Sequence, residues 1–144
     1  MIPIPLGYRM TGLYAGIKRN KDALDCSLVV SDRPAVAAGV YTKNLVFAAP
    51  VALDRARTPG TGFRAVAINS GNANACTGER GLQDAAAMAG AAAATVGATG
   101  EQALVLSTGI IGEFLPLEKI QNGLAACGKQ LVGDESSLIL AGAA

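Results

Sequence analysis

Ala67-Ile68-Asn69-Ser70-Gly71-Asn72-Ala73-Asn74-Ala75-Cys76-Thr77-Gly78 packs three Asn, two Gly, a Ser, a Thr and a Cys into twelve residues. The run from Phe63 to Asn69 leads into it and reads as a strand, apolar on both faces. Behind it, Gly78 to about Val96 is Ala-rich and reads as a helix, with Thr77 placed to cap its start. Gly97 to Gly100 ends that helix. Gln102 to Ser107 (QALVLS) reads as a second buried-type strand, and it runs straight into Thr108-Gly109-Ile110-Ile111-Gly112. A strand, a polar Gly-punctuated turn, a helix and another strand make an α/β unit. The turn is a natural place for a site, because the first N–H groups of a helix are unpaired and carry partial positive charge.

Working outward, Leu115 to Leu131 reads as a helix. Leu117, Ile120, Leu124, Cys127 and Leu131 recur at steps of three and four and so share one face. Pro116 suits its first turn. Asp134 reads as the cap of a further, apolar helix starting near Glu135. Toward the N-terminus, the first twenty residues are expected to wrap the surface or pair at a sheet edge. Asp25 to Ser31 reads as a strand and Asp32-Arg33-Pro34 as a turn. Val36 to Tyr41 reads as a second strand and Val46 to Leu53 as a third, with Pro50 confining the third to an edge or a bend. Thr58 to Gly62 is a loop. Early strands in a row with helices among the later ones predict an α/β (α+β layered) fold, a mixed sheet with packed helices, within one domain spanning residues 1–144.

Composition narrows the function classes. The chain has 144 residues, 51% of them hydrophobic and 16% charged, with a formal net charge of +1. Such a chain buries a substantial core and is not disordered. Lys18-Arg19-Asn20-Lys21 is a solvated turn rather than a nucleic-acid patch, so no nucleic-acid partner is expected. No apolar run reaches the roughly 20 residues of a membrane span. The N-terminus lacks the pattern of a secretory signal, which gives a cytoplasmic expectation. Cys26, Cys76 and Cys127 form no C-x-x-C pair and read as free, buried thiols, with no metal site. The sequence contains no His, so a Ser-His-Asp or Cys-His arrangement cannot be completed within it.

Two segments can carry chemistry. The Asn side chains of Asn69 to Gly78 either bind a polar substrate or make an Asx-rich turn that satisfies its own backbone. Thr108-Gly109, at a strand end, either forms an ordinary turn or offers a hydroxyl and a backbone N–H to the oxyanion of an acyl-transfer intermediate. Gly109 would let the backbone approach the reacting atom. Cys76 reads as a structural thiol rather than a nucleophile. The acidic pairs Asp22/Asp25 and Asp134/Glu135 read as solvated turns and caps.

AINSGNANACTG (residues 67–78) and LSTGIIGEFLPLEKI (residues 106–120) closely resemble the bifunctional ornithine acetyltransferase / N-acetylglutamate synthase family of arginine biosynthesis. Gly7-Tyr8 with Gly12, Ala15-Gly16-Ile17-Lys18, Asp25, Ser31-Asp32, Gly39-Val40-Tyr41-Thr42, Asn44 and Ala48-Ala49-Pro50-Val51 add to the resemblance, in family order. It implies an N-terminal-nucleophile-type acetyltransferase fold, here incomplete. It further implies a precursor that cuts itself before a Thr, giving an α chain and a C-terminal β chain, assembled as an α2β2 heterotetramer. The freed Thr takes an acetyl group from N-acetylornithine and passes it to glutamate. No cofactor is implied, although acetyl-CoA serves some members as a substrate. By this resemblance Thr108 and Gly109 are the oxyanion hole. A Thr-Thr-Asp-Thr segment, a Lys-Gly motif and the nucleophilic Thr follow in the family and are not among these residues. Residues 1–144 alone are therefore expected to be inactive and to expose an apolar patch. A secondary-metabolism acetyltransferase of the same family and a non-catalytic truncated paralogue, acting as a binding or assembly module, are the competing readings.

Overall fold

The computed structural model describes residues 4–144. Four strands form one mixed sheet in chain order: β1 (Tyr8–Leu13), β2 (Cys26–Ala37), β3 (Gly60–Asn72) and β4 (Ala103–Ile110). The first three are antiparallel neighbours, and β4 runs parallel to β3. The helices are α1 (Ala49–Arg57), α2 (Gly78–Ala94), α3 (Leu117–Lys129) and α4 (Glu135–Ala143), and α2 supplies the crossover that the parallel pair needs. The expected mixed sheet with packed helices is what forms.

Side-chain alternation sets the layers. Cys26, Leu28 and Val30 of β2, Ala65 and Ala67 of β3, and Ala103 and Val105 of β4 share one face and are buried. Across from them lie Ala85, Met88, Ala89, Ala92 and Ala93 of α2, with Ile120, Leu124 and Cys127 of α3, in the same core. The Ala stripe recurs at helical spacing, and its small side chains let α2 lie close on the sheet. Among the described residues, α4 covers the other face over β1 and the adjoining part of β2, where Ser27 is fully buried. There α4 crosses so closely that a Cβ on Gly12 would collide with the Leu140 carbonyl. Asp134 caps α4 as expected, accepting the Ser137 N–H at 2.9 Å.

Several elements differ from the sequence reading. Val46 to Leu53 is not a strand: Ala49–Arg57 is helical, with Pro50 in the first turn, where a missing N–H costs nothing. Asp32-Arg33-Pro34 does not end its strand, because β2 continues through it with a register shift between Val30 and Ala35. Only Val36 and Ala37 of the expected Val36–Tyr41 strand are in β2. β3 begins at Gly60 inside the expected loop and runs to Asn72, inside the expected turn. Pro116 is the residue before α3 rather than in its first turn, and the Thr77 side chain makes no cap bond to α2.

Candidate active site

Parallel strands bring their carboxyl ends together, and the crevice beyond such ends is where open α/β sheets bind ligands. Here β3 and β4 are in register to their last residues, pairing Asn69 with Ser107, Ser70 with Thr108, Gly71 with Gly109 and Asn72 with Ile110. Gly71 has φ +112° and Gly109 φ +133°, which L side chains rarely adopt. A Cβ on Gly109 would also strike the Gly71–Asn72 peptide. The two segments thus touch backbone to backbone. A cleft of about 720 Å³ opens beside them, lined by Ile17 to Arg19, Ser70 to Asn72, Gly109, Ile110, Glu113, Phe114, Pro116 and Lys119.

The two residues expected from the sequence sit at the end of β4. Gly109 is on the rim of the cleft. Thr108 is exposed. By alternation it lies on the sheet face opposite the helices, between Leu106 and Ile110, which are 48% and 55% exposed. Thr108 and Gly109 are both exposed on a strand that buried Val105 anchors, and of the two only Gly109 lines the cleft.

The Asn-rich motif is a buried scaffold. Asn69, Asn72 and Asn74 are buried. Asn69 Nδ2 donates to the Asn72 carbonyl at 2.9 Å. Asn72 Nδ2 donates to the carbonyls of Glu113 at 3.1 Å and Phe114 at 3.0 Å, and its Oδ1 accepts the Asn74 N–H at 2.8 Å. Asn74 Nδ2 donates to the Gly81 carbonyl at 2.8 Å, and its Oδ1 accepts from the Thr77 hydroxyl at 2.7 Å. Gly71, Asn74, Cys76 and Gly78 all have positive φ, which explains the residue choice: Gly and Asn enter that region most cheaply. Cys76 corrects the buried-thiol expectation, since it is exposed while Cys26 and Cys127 are buried.

Two acids, Asp25 and Asp54, are buried. Asp25 is no solvated turn. It is fully buried, and its carboxylate accepts the N–H groups of Ala15 at 2.5 Å, Ile17 at 2.6 Å and Lys18 at 2.9 Å. It thereby folds the loop that walls one side of the cleft. Asp54 of α1 is 7% exposed. Its carboxylate takes the Val105 N–H at 3.1 and 3.3 Å, on the outer edge of β4, while Arg57 donates to the Ala103 carbonyl at 2.6 Å. Burial pushes the Asp54 carboxyl up to about 6, against the opposing pull of the Val105 N–H and the Arg57 charge. Neither acid carries a clear sequence signal, because Asp54 is followed directly by Arg55 and Asp25 lies close to Lys21 and Asp22.

Lys18 and Lys119 flank the cleft with their ammonium groups tied to backbone, at 2.7 Å to the Leu24 carbonyl and 2.8 Å to the Gly16 carbonyl. Among the described residues no cluster of His, Cys, Asp and Glu could hold a metal ion, and no helix is long and apolar enough to cross a membrane.

The chain is similar to known proteins. The arginine biosynthesis bifunctional protein ArgJ of Rhodopirellula baltica is 49% identical over 136 residues, which is 94% of this chain and 33% of that protein. The Geobacter sulfurreducens ArgJ is 49% identical over 118 residues, 82% of this chain and 30% of that one. The chain thus spans about a third of the length of the curated relatives it matches, in their N-terminal portion. Among solved structures, Mycobacterium tuberculosis ornithine acetyltransferase complexed with ornithine superposes with a TM-score of 0.86 at 40% identity, covering 96% of this chain and 72% of that chain. Bacillus halodurans ArgJ superposes with a TM-score of 0.77 at 41% identity, covering 83% and 62%. The ArgJ family profile matches residues 9–143, and this chain belongs to the ArgJ family.

Proposed function

We propose that these residues are the oxyanion-stabilising part of an acetyltransferase that moves an acetyl group from N-acetylornithine to glutamate in arginine biosynthesis. The observation that carries this is the accessible Thr108-Gly109 pair at the end of β4, seated against Gly71, in a chain of the ArgJ family. In this reading a Thr hydroxyl supplied by a C-terminal β chain attacks the acetyl carbonyl. The carbonyl oxygen becomes an oxyanion, which accepts hydrogen bonds from the Thr108 hydroxyl and the Gly109 N–H. The C–N bond breaks, ornithine leaves with the proton, and an acetyl-threonine ester remains. The amine of glutamate then attacks the ester through the same oxyanion and restores the Thr hydroxyl. Acetyl-CoA can serve as a second donor in the same geometry, and no cofactor takes part.

The open sheet face supports a C-terminal partner. Leu106, Thr108 and Ile110 are exposed on it, and a nucleophile arriving there would meet the Thr108 hydroxyl directly. An α2β2 assembly in the cytoplasm, with residues 1–144 acting as one domain, completes the proposal. The test is Thr108→Ala in the protein expressed from its complete reading frame. One lost oxyanion donor costs about 2.7–4 kcal/mol, or roughly 10²–10³ in kcat, while KM stays close to its starting value. An unchanged kcat removes the oxyanion role.

A further inference from the structure

We infer that Asn72 is a positioning residue for the Thr108-Gly109 pair, acting through the backbone of the segment that carries it; this rests on the oxyanion reading above. Leu106 to Phe114 are all half-buried or exposed, between the buried anchors Val105 and Leu115. Ile111 is 65% exposed and Phe114 52%. Side-chain burial therefore does not hold this segment in place. Its backbone must be held by hydrogen bonds, or the donors at residues 108 and 109 would have no fixed direction.

The bonds that hold it come from the Asn-rich motif. The β3–β4 ladder ends at the Asn72–Ile110 pair. Past that point the Ala73 N–H donates to the Ile110 carbonyl, and the Gly112 N–H to the Ala75 carbonyl, both at 2.9 Å. Asn72 closes the far end, where its single side-chain amide holds the Glu113 and Phe114 carbonyls together. The peptide that begins Asn72 is also the surface on which Gly109 rests. One residue thus contacts the donor pair from beneath and fixes the return of its loop. The bonds require two donors and one acceptor on a short side chain. Among the twenty side chains that is the inventory of a carboxamide; Asp lacks the donors and Ser has one.

Asn74 provides the internal contrast. It is equally buried and bonded, but it ties the start of α2 through Gly81 and Thr77 and makes no side-chain bond to the β4 loop. The experiment compares Asn72→Ala, Asn74→Gly and Thr108→Ala in the full-length protein. Each is normalised to functional sites by the size of the acetyl-enzyme burst. Asn72→Ala is expected to lower kcat by about 10–100-fold, as misplacement of catalytic groups by about 1 Å does, with KM within about twofold. Asn72→Ser, which keeps one donor, is expected to fall between Asn72→Ala and the parent. Asn74→Gly keeps the positive φ accessible, so it should lower Tm and leave kcat per site within about twofold. If Asn72→Ala and Asn74→Gly give the same kcat while Thr108→Ala is impaired, the positioning role is overturned and the oxyanion reading stands. If Thr108→Ala is unimpaired, both fall. Should Asn72→Ala not fold, Asn72→Ser decides alone: parental kcat overturns the inference, and a reduced kcat at parental KM supports it.

Discussion

The two faces of the sheet are built on opposite principles. The helix side is dry and small-grained: Leu28, Ala67 and Val105 meet Met88, Ala89, Ala92 and Leu124, all 0–1% exposed. The other side leaves Leu106 and Ile110 about half exposed, and among the described residues α4 covers it over β1 and the adjoining part of β2. The strands are the same on both sides, so strand propensity does not distinguish them. The difference lies in which helices the connections deliver, and the crossover between β3 and β4 delivers α2 to one side only. Thr108 projects from the uncovered side, the side that the proposed oxyanion role would use. Contiguous exposed apolar surface of this kind marks an interaction site.

The largest effect should come from hollowing the closed face. Leu124→Ala removes a fully buried side chain and should cost about 2–5 kcal/mol of stability by urea unfolding. A loss below about 1 kcal/mol would mean that the closed face is loosely packed and the contrast overstated.

Asp54 sharpens the comparison at the edge where the two faces meet. Its folded-state carboxyl sits at about 6, above the unfolded value of about 3.9. A raised value means that its contribution to stability is fully present below about pH 4 and is lost as pH rises through about 6. Asp54→Asn can still accept the Val105 N–H and cannot ionise. Its stability relative to the parent should therefore rise between pH 4.5 and pH 7.5, by about 1–3 kcal/mol. Equal differences at the two pH values would show that the buried carboxylate carries no such cost.

The smallest effect belongs to the open face. Leu106→Ser in residues 1–144 should change stability by no more than about 0.5 kcal/mol, because half of the side chain is already in water. The same substitution in the full-length protein should cost more if the remaining sequence covers this face. Equal, small effects in both would leave the open face without a partner within its own protein.

Much of this arrangement was legible in the residues. The spacing of Leu117, Ile120, Leu124 and Cys127 gave α3, and its Ile120, Leu124 and Cys127 are buried. The Ala-rich run gave α2 to within two residues, ending at Ala94 rather than Val96. The strand expected over Gln102 to Ser107 was visible as an apolar run, although β4 continues through Thr108-Gly109 to Ile110. Other features were not legible. A Pro inside an apolar stretch suits an edge strand or a helix start equally well, so Pro50 misdirected the reading of α1. Asp25 looked solvent-exposed because charge normally is, and the residues around Asp54 give no sign of its burial. Their burial depends on N–H groups ten to fifty residues away, at Ala15 and Val105.

The sequence by itself determined part of the local order: the helices α2, α3 and α4, the central stretches of β2, β3 and β4, and the Thr-Gly pair that follows the apolar run of β4. These follow from periodicity and from the conformational range of single residues, which act over a few positions. Only the tertiary structure decided that β4 lies parallel to β3 with Gly109 against Gly71, that Asn72 reaches across to Glu113 and Phe114, and that one face of the sheet stays open. Those are contacts between distant segments. Their free energy exists only once the chain has closed the intervening loops, so no window of sequence contains it.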